Sequence, residues 1–365
     1  MVTIIRLAML PFEILSGIEI NLVLLIFLGL FVGIVSGFIG VGGGFLMVPA
    51  LIIVGFPANF AVGTSLAWIT GSALIGTLRH RQLGNIDMKL GIWMVTGTLC
   101  GVEGGVRILN EMKEIGFADH AVLTTSITIL LVIGIYTLRE ARKRKTLLDS
   151  MVRKREKLPP AMRALAISKR LQNIRVPPMI HFAKSRLTIS LWVIICIGFI
   201  TGLLAGFIGV SGGFIMVPFL VYLMGLPSFL AVGTDMFQVI FTASFGCVRH
   251  TMSGNVLILI AFILVLSSPL GVQCGAFITR FVRGVAMRYV LAVSIFICVL
   301  GSILKLLDII LELPTAWLRA SSICVVFGGM ALTVAMIVGL FIMALLYKAG
   351  KPIPIWAVSL IQHED

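Results

Sequence analysis

The chain has 365 residues, 59% of them hydrophobic and only 12% charged, with a mean hydropathy of +1.11. A soluble domain carries about a quarter charged residues, so this composition excludes one and describes a polytopic helical membrane protein; alternating, weakly apolar barrel strands would read differently. The net charge of +14 is concentrated, because residues 139–187 hold fifteen Lys and Arg against Glu140, Asp149 and Glu156.

Apolar segments are predicted at about 20–36, 44–55, 61–78, 90–109 and 120–138. The N-terminus lacks a positive cluster and a small-residue cleavage site, so 20–36 reads as a retained helix. The second segment, 44–55, would span about 18 Å as a helix, against a hydrocarbon core of about 30 Å. Such a piece, flanked by Gly-rich backbone, must be buried in protein or line a polar cavity, which predicts a broken or re-entrant helix.

The basic stretch 139–187 follows. Positive charge between apolar spans keeps a loop on the cytoplasmic side and attracts anionic lipid. Apart from Phe182, no aromatic residue interleaves with it as in single-strand binders, which argues against a nucleic-acid partner. Further apolar segments follow at about 188–205, 213–226, 231–248, 256–278 and 286–307, and a last one at 321–347 has no earlier counterpart. The organisation expected is therefore a first transmembrane repeat at 1–138, a basic cytoplasmic linker at 139–187, a second repeat at 188–307, and an extra helix with its tail at 308–365.

The duplication is explicit. Gly37–Pro49 returns as Gly206–Pro218 with eleven of thirteen positions identical, at an offset of 169. One inserted residue later, Ala61-Val62-Gly63-Thr64 matches Ala231-Val232-Gly233-Thr234. Arg79-His80 then matches Arg249-His250, Gly84-Asn85 matches Gly254-Asn255, and Gly101-Val102-Glu103 matches Gly271-Val272-Gln273. The fold class is an all-α polytopic membrane protein of two five-segment repeats plus one helix. Counting every segment as a crossing inverts the halves and puts Arg280, Arg283 and Arg288 on the side of the basic linker, which the positive-inside rule favours; if the short pieces do not reverse the chain, the halves are parallel and those arginines fall outside.

Paired Gly-rich breaks in corresponding segments are the best sequence pointer to a transporter's substrate site. The run through Gly42, Gly43 and Gly44 lacks the third Gly of a dinucleotide loop and the Gly-Lys-Ser/Thr of a P-loop. What remains is a concave nest of main-chain N–H groups opening a helix, suited to an anion. The same holds for Ser211, Gly212 and Gly213. By contrast Gly29, Gly33 and Gly37, and Gly198, Gly202 and Gly206, recur at every fourth position, the close-packing face of membrane helices.

Thr64 and Ser65, with Thr234 and Asp235, stand near the start of the next helix in each half. They read either as N-caps or as hydroxyls and a carboxylate completing the anion pocket, with Asp235 also a candidate for proton or cation coupling. Arg79-His80 and Arg249-His250 anchor helix ends by snorkelling or attract anions to the two mouths of a path. Glu103, with Gln273 at the equivalent place of the second repeat, reads as a lone intramembrane carboxylate that either exchanges a coupled proton or hydrogen-bonds a neighbouring helix. The six cysteines have no CxxC pair and read as small buried hydrophobes. The five scattered histidines have no metal-ligand spacing, and no cofactor motif occurs.

With these motifs in place the chain resembles the TauE/SafE family of sulfite-exporter-like membrane proteins. The resemblance rests on Gly37–Pro49 with Ala61–Ser65, on Gly206–Pro218 with Ala231–Asp235, on the Gly254-Asn255 turn and on Gly271-Val272-Gln273-Cys274-Gly275. It implies transport, mostly outward, of sulfite or organosulfonates across the bacterial inner membrane. The long basic insert and the 321–347 helix depart from the commoner compact members. An anion channel, or a carrier of another small carboxylate or inorganic anion, is the alternative. An enzyme is disfavoured, since no nucleophile–base–acid set stands at recognisable spacing. The expected partners are a small anionic substrate and membrane lipids, with a second copy of the chain as a further candidate.

Overall fold

In a bilayer every backbone N–H and C=O must find a partner within the protein, so long apolar runs become helices. The computed structural model describes residues 11–15, 18–39, 43–82, 84–154, 176–185, 187–210, 212–311, 316–352, 354 and 360–361. Gly42 and Ser211 of the two Gly-rich runs lie outside the described residues, as does 155–175 of the basic linker.

The first half comprises α1 (Leu22–Ile39), the short α2 (Gly44–Val54), α3 (Ala58–Gln82), α4 (Met88–Glu114) and α5 (Ala118–Lys154). The second comprises α6 (Leu191–Ile208), the very short α7 (Gly213–Pro218) continued by a π turn at Phe219–Leu223, then α8 (Ser228–Met252), α9 (Ile258–Ile278) and α10 (Gly284–Leu311). The last helix is α11 (Ala316–Lys348). Nine of these, all but α2 and α7, are long and apolar enough to cross a membrane among the described residues, which makes this an all-α polytopic membrane protein. Val132, Phe262 and Leu270 are at least 60% exposed, as side chains facing lipid should be.

Two features lie beyond the sequence reading. The fifth helix does not stop where the apolar segment does: α5 continues through Arg139–Lys145 to Lys154, because Leu, Lys and Arg are good helix formers once the chain leaves the lipid. Two small antiparallel hairpins also form, β1 (Pro11–Leu15) with β2 (Ile18–Asn21), and β3 (Met179–Phe182) with β4 (Leu187–Ser190). The second hairpin is tied to the α3–α4 turn: the Ser185 hydroxyl and N–H donate to Asp87 Oδ2 at 2.6 and 3.2 Å, while Asp87 Oδ1 caps α4 at Leu90 N–H.

Glycine sets how the helices meet. A Cβ placed on Gly33 or Gly37 of α1 would strike the carbonyls of Ser268 or Val272 on α9, and one on Gly271 or Gly275 would strike those of Leu30 or Ile34. The same lock joins the other pair, Gly101 and Gly105 of α4 against Phe199 and Leu203 of α6, and Gly202 and Gly206 against Thr98 and Val102. Residue numbers rise together along both contacts, so each pair is parallel. The third helices run the other way: Leu66 meets Gly246 while Gly76 meets Met236, so α3 and α8 are antiparallel. Likewise α5 and α10 are antiparallel, with Gly134 beside Ile295 and Glu140 paired with Arg288. Small residues let backbones approach to van der Waals distance, which drives association where lipid removes the hydrophobic incentive.

The cysteines correct the sequence reading. Only Cys298 is buried, with its thiol 3.4 Å from the Phe45 carbonyl, while Cys100, Cys196, Cys274 and Cys324 are exposed. The outer faces of membrane helices are as apolar as their inner ones, so an apolar flank does not imply burial.

Candidate functional site

The two short helices begin close to one another. Gly43 precedes α2 at φ 61°, a left-handed conformation that a Cβ disfavours, and its carbonyl accepts from the N–H groups of Leu46 and Met47. In the second half α6 stops against Gly209 at φ 65°, and the Gly212 carbonyl accepts from Ile215 and Met216 at the start of α7. The first turns of the two short helices touch. Phe45, next to Gly44, and Phe214, next to Gly213, stack with ring centroids 4.6 Å apart and planes 15° from parallel. Both rings are buried.

The walls beside the two runs differ chemically. Gly43 sits against Ser36 and the indole of Trp68, and Gly212 against the side-chain amide of Gln238. Trp68 and Gln238 are repeat equivalents, each three residues beyond Ser65 and Asp235 and so on the same helix face. On α8 the polar groups are joined in a buried chain. Gln238 Nε2 donates to Asp235 Oδ1 at 3.0 Å, and the Thr242 hydroxyl donates to Gln238 Oε1 at 2.7 Å while lying 2.9 Å from the Thr98 hydroxyl of α4. On α3 the corresponding Ser65 Oγ and Trp68 Nε1 are fully buried and have no hydrogen-bond partner among the described residues. Leaving such donors unpaired is costly, and sites that do so tend to be functional or to hold something.

Thr64 and Thr234 take a role other than capping. The helices start earlier, directly after Pro57 and Pro227, whose carbonyls receive the first turn's N–H groups. The two threonines therefore lie in the second turn. Leu257 N–H donates to Thr64 Oγ1 at 3.2 Å, and Asp87 N–H donates to Thr234 Oγ1 at 3.0 Å. Gly63 and Gly233 press on the carbonyls of Asn255 and Asn85. The Gly-Thr pair of each half thus grips the Gly-Asn turn of the other. Asn255 is further held by Asn59, Asn110 and Lys113 at 2.8–2.9 Å.

Glu103 is not the lone carboxylate expected. Arg249 grips it with two N–H groups, at 2.5 and 2.8 Å, and Arg107 adds a third bond at 2.8 Å. The i,i+4 spacing of Glu103 and Arg107 carried that signal; the approach of Arg249 from α8 did not show in the sequence. His250 is fully buried, with Nε2 3.0 Å from the Gly206 carbonyl at the end of α6. His80 is half-buried, and its Nδ1 has no partner among the described residues. Gln273 is exposed on α9, and the Arg79 side chain lies outside the description. Sequence reasoning missed Trp68, Gln238, Thr98 and Thr242. The sign of the first two was available, one helical turn beyond Ser65 and Asp235.

Comparison with known proteins points to membrane transport. The chain is 27% identical over 268 residues to "Probable membrane transporter protein YunE" of Bacillus subtilis, covering 71% of this chain and 89% of that protein. It is 24% identical over 249 residues to YjnA of the same organism (64% and 84%), and 28% identical over 204 residues to MJ0441 of Methanocaldococcus jannaschii (54% and 60%); both carry the same description as probable membrane transporters. No solved structure matches. The family described as Sulfite exporter TauE/SafE matches residues 25–302, most of the chain, and the protein belongs to that family of membrane transport proteins.

Proposed function

We propose that the protein exports a small sulfur-containing oxyanion, sulfite or an organosulfonate, across the bacterial inner membrane, binding it where the twin Gly-rich breaks meet. The observation that carries this reading is the contact of Phe45 with Phe214, which draws together the N-terminal ends of two helices preceded by glycine. Main-chain N–H groups of Gly42, Gly43 and Gly44, and of Ser211, Gly212 and Gly213, would face the anion, helped by the positive end of the α2 dipole. Ser65 and Trp68 supply two buried donors that have no partner among the described residues. Support for sulfur chemistry comes from the family's own description.

The two halves are inverted about an axis in the membrane plane. The antiparallel courses of α3 with α8 and of α5 with α10 support this, as does the exchange of α1 onto α9 and α6 onto α4. The basic linker lies in the cytoplasm by the positive-inside rule. Outward movement needs little coupling, since an anion leaving a negative-inside cell gains about 2.3 kcal/mol per charge per 100 mV. Asp235, held by Gln238, is the residue available to couple a proton. Thr64, Thr234 and Glu103 shape the pocket indirectly, by fixing helices.

The test is flux from liposomes loaded with sulfite, thiosulfate, taurine-like sulfonates or sulfate under imposed potentials. Sulfite or sulfonate efflux that rises with an outward driving voltage, and disappears in Gly43→Val and Gly212→Val proteins that still fold, is the expected result. Equal movement of all four solutes, or none, would reject the substrate assignment.

A further inference from the structure

We propose that the cleft between α3 and α8, on the face that carries the β3–β4 hairpin, is a binding groove for an anionic phospholipid. A recess of about 290 Å³ opens there. Along one stripe of α3 it is lined by Leu74, Thr77, Leu78 and Arg81, with Phe241 of α8 opposite and Lys184 of the hairpin turn above. The spacing follows from the helix: residues 74, 77, 78 and 81 share a face, so the wall runs from apolar to cationic within two turns.

The chemistry selects the occupant. Leu74, Leu78 and Phe241 are each 45–60% exposed, an apolar strip that a hydrated inorganic anion would leave wet and acyl chains would cover. Arg81 and Lys184 both reach the groove's polar end and offer donors to a phosphodiester. Thr77, 8% exposed, lines the recess between the two leucines, and its hydroxyl is enclosed there without a partner among the described residues. The recess alone is too small for a whole lipid, so the remaining chain would lie along the exposed strip. Lys184 is not placed by chance, because Ser185 beside it is fastened to Asp87 through two hydrogen bonds.

The groove belongs to one face only. At the equivalent positions of the other half Arg81 is replaced by Thr251 and Thr77 by Cys247, while Phe241 corresponds to Gly71 and Phe237 to Ala67. The Arg81 charge and the phenylalanine wall therefore have no equivalents at the matching positions of the other half, as expected if the groove serves the leaflet beside the basic linker. Bound lipid would bridge the third helices of the two halves with the hairpin that ends the linker.

The experiment is native mass spectrometry of the delipidated full chain in detergent, titrated with phosphatidylglycerol or phosphatidylcholine. Expected is one tightly held phosphatidylglycerol with clear preference over phosphatidylcholine. That preference should fall about thirtyfold in Arg81→Gln/Lys184→Gln, from the worth of two basic groups at a membrane surface. Lys351→Gln, an exposed cation elsewhere, should leave it unchanged. Leu74→Trp, which obstructs the apolar strip without touching charge, should weaken both lipids, and unchanged thermal unfolding without lipid would certify the fold of each variant. No preference for phosphatidylglycerol, or a preference that survives the double substitution, would overturn the proposal. Displacement of the lipid by millimolar glycerol phosphate would overturn it too, in favour of a free-anion site.

Discussion

Gly63 packs so tightly on the main-chain carbonyl of Asn255 that a Cβ there would strike the oxygen, and Gly233 stands in the same relation to Asn85. Each half thereby closes on the turn of the other, and neither contact can form until both halves are in place. Replacing Gly63 or Gly233 by Ala should destabilise the protein by about 1–3 kcal/mol, the usual cost of overpacking. Thermal unfolding in detergent measures this, and a variant with an unchanged transition would contradict the packing.

The adjacent hydroxyls give a sharper version of the same idea. Thr64→Val keeps volume but leaves the Leu257 N–H unpaired, which costs about 1–3 kcal/mol, whereas Thr64→Ser restores the acceptor. Thr234→Val and Thr234→Ser should behave alike through Asp87 N–H. If Val and Ser variants unfold together at both positions, the hydrogen bonds are not what matters there.

Arg249 spends its guanidinium on Glu103, linking α8 to α4 beside the Gly101–Gly105 lock. A double-mutant cycle of Glu103→Gln with Arg249→Gln should give a coupling of about 0.5–3 kcal/mol. The same cycle in transport separates roles: a carrier of coupled protons at Glu103 would lose pH dependence in Glu103→Gln, whereas a brace would lose stability and keep it. The bidentate grip favours the brace.

How much of this was legible follows from what periodicity encodes. The shortness of α2 and the repeated glycines pointed to paired helix interruptions, and Phe45 stacked on Phe214 is where those segments meet. The four-residue glycine spacing identified the close-packing faces of α1 and α6, yet nothing in it named α9 and α4 as partners, because a packing face does not state what covers it. Gly63-Thr64 and Gly233-Thr234 resembled caps only because the true helix starts, after Pro57 and Pro227, lie a turn earlier. Trp68 passed as one more apolar residue. Its significance depends on an indole N–H buried without a partner among the described residues, which is visible only in three dimensions.

Trp68 therefore offers the most direct test of where the anion sits. Trp68→Phe removes the N–H while keeping an aromatic ring against Gly43, so lost packing is partly offset by the removal of an unpaired buried donor. Stability should change little. If the indole N–H bonds the oxyanion, a charge-assisted hydrogen bond of about 1.5–3 kcal/mol is lost, and sulfite affinity should fall about 10- to 100-fold by isothermal titration. Asp235→Asn supplies the contrast: it keeps a partner for Gln238 and removes a site for coupled protons. It should leave affinity near normal while flattening any dependence of efflux on a pH gradient. Wild-type affinity in Trp68→Phe would move the anion away from the α3 wall, toward the Gln238 side. Wild-type pH dependence in Asp235→Asn would place any proton coupling at a group other than Asp235.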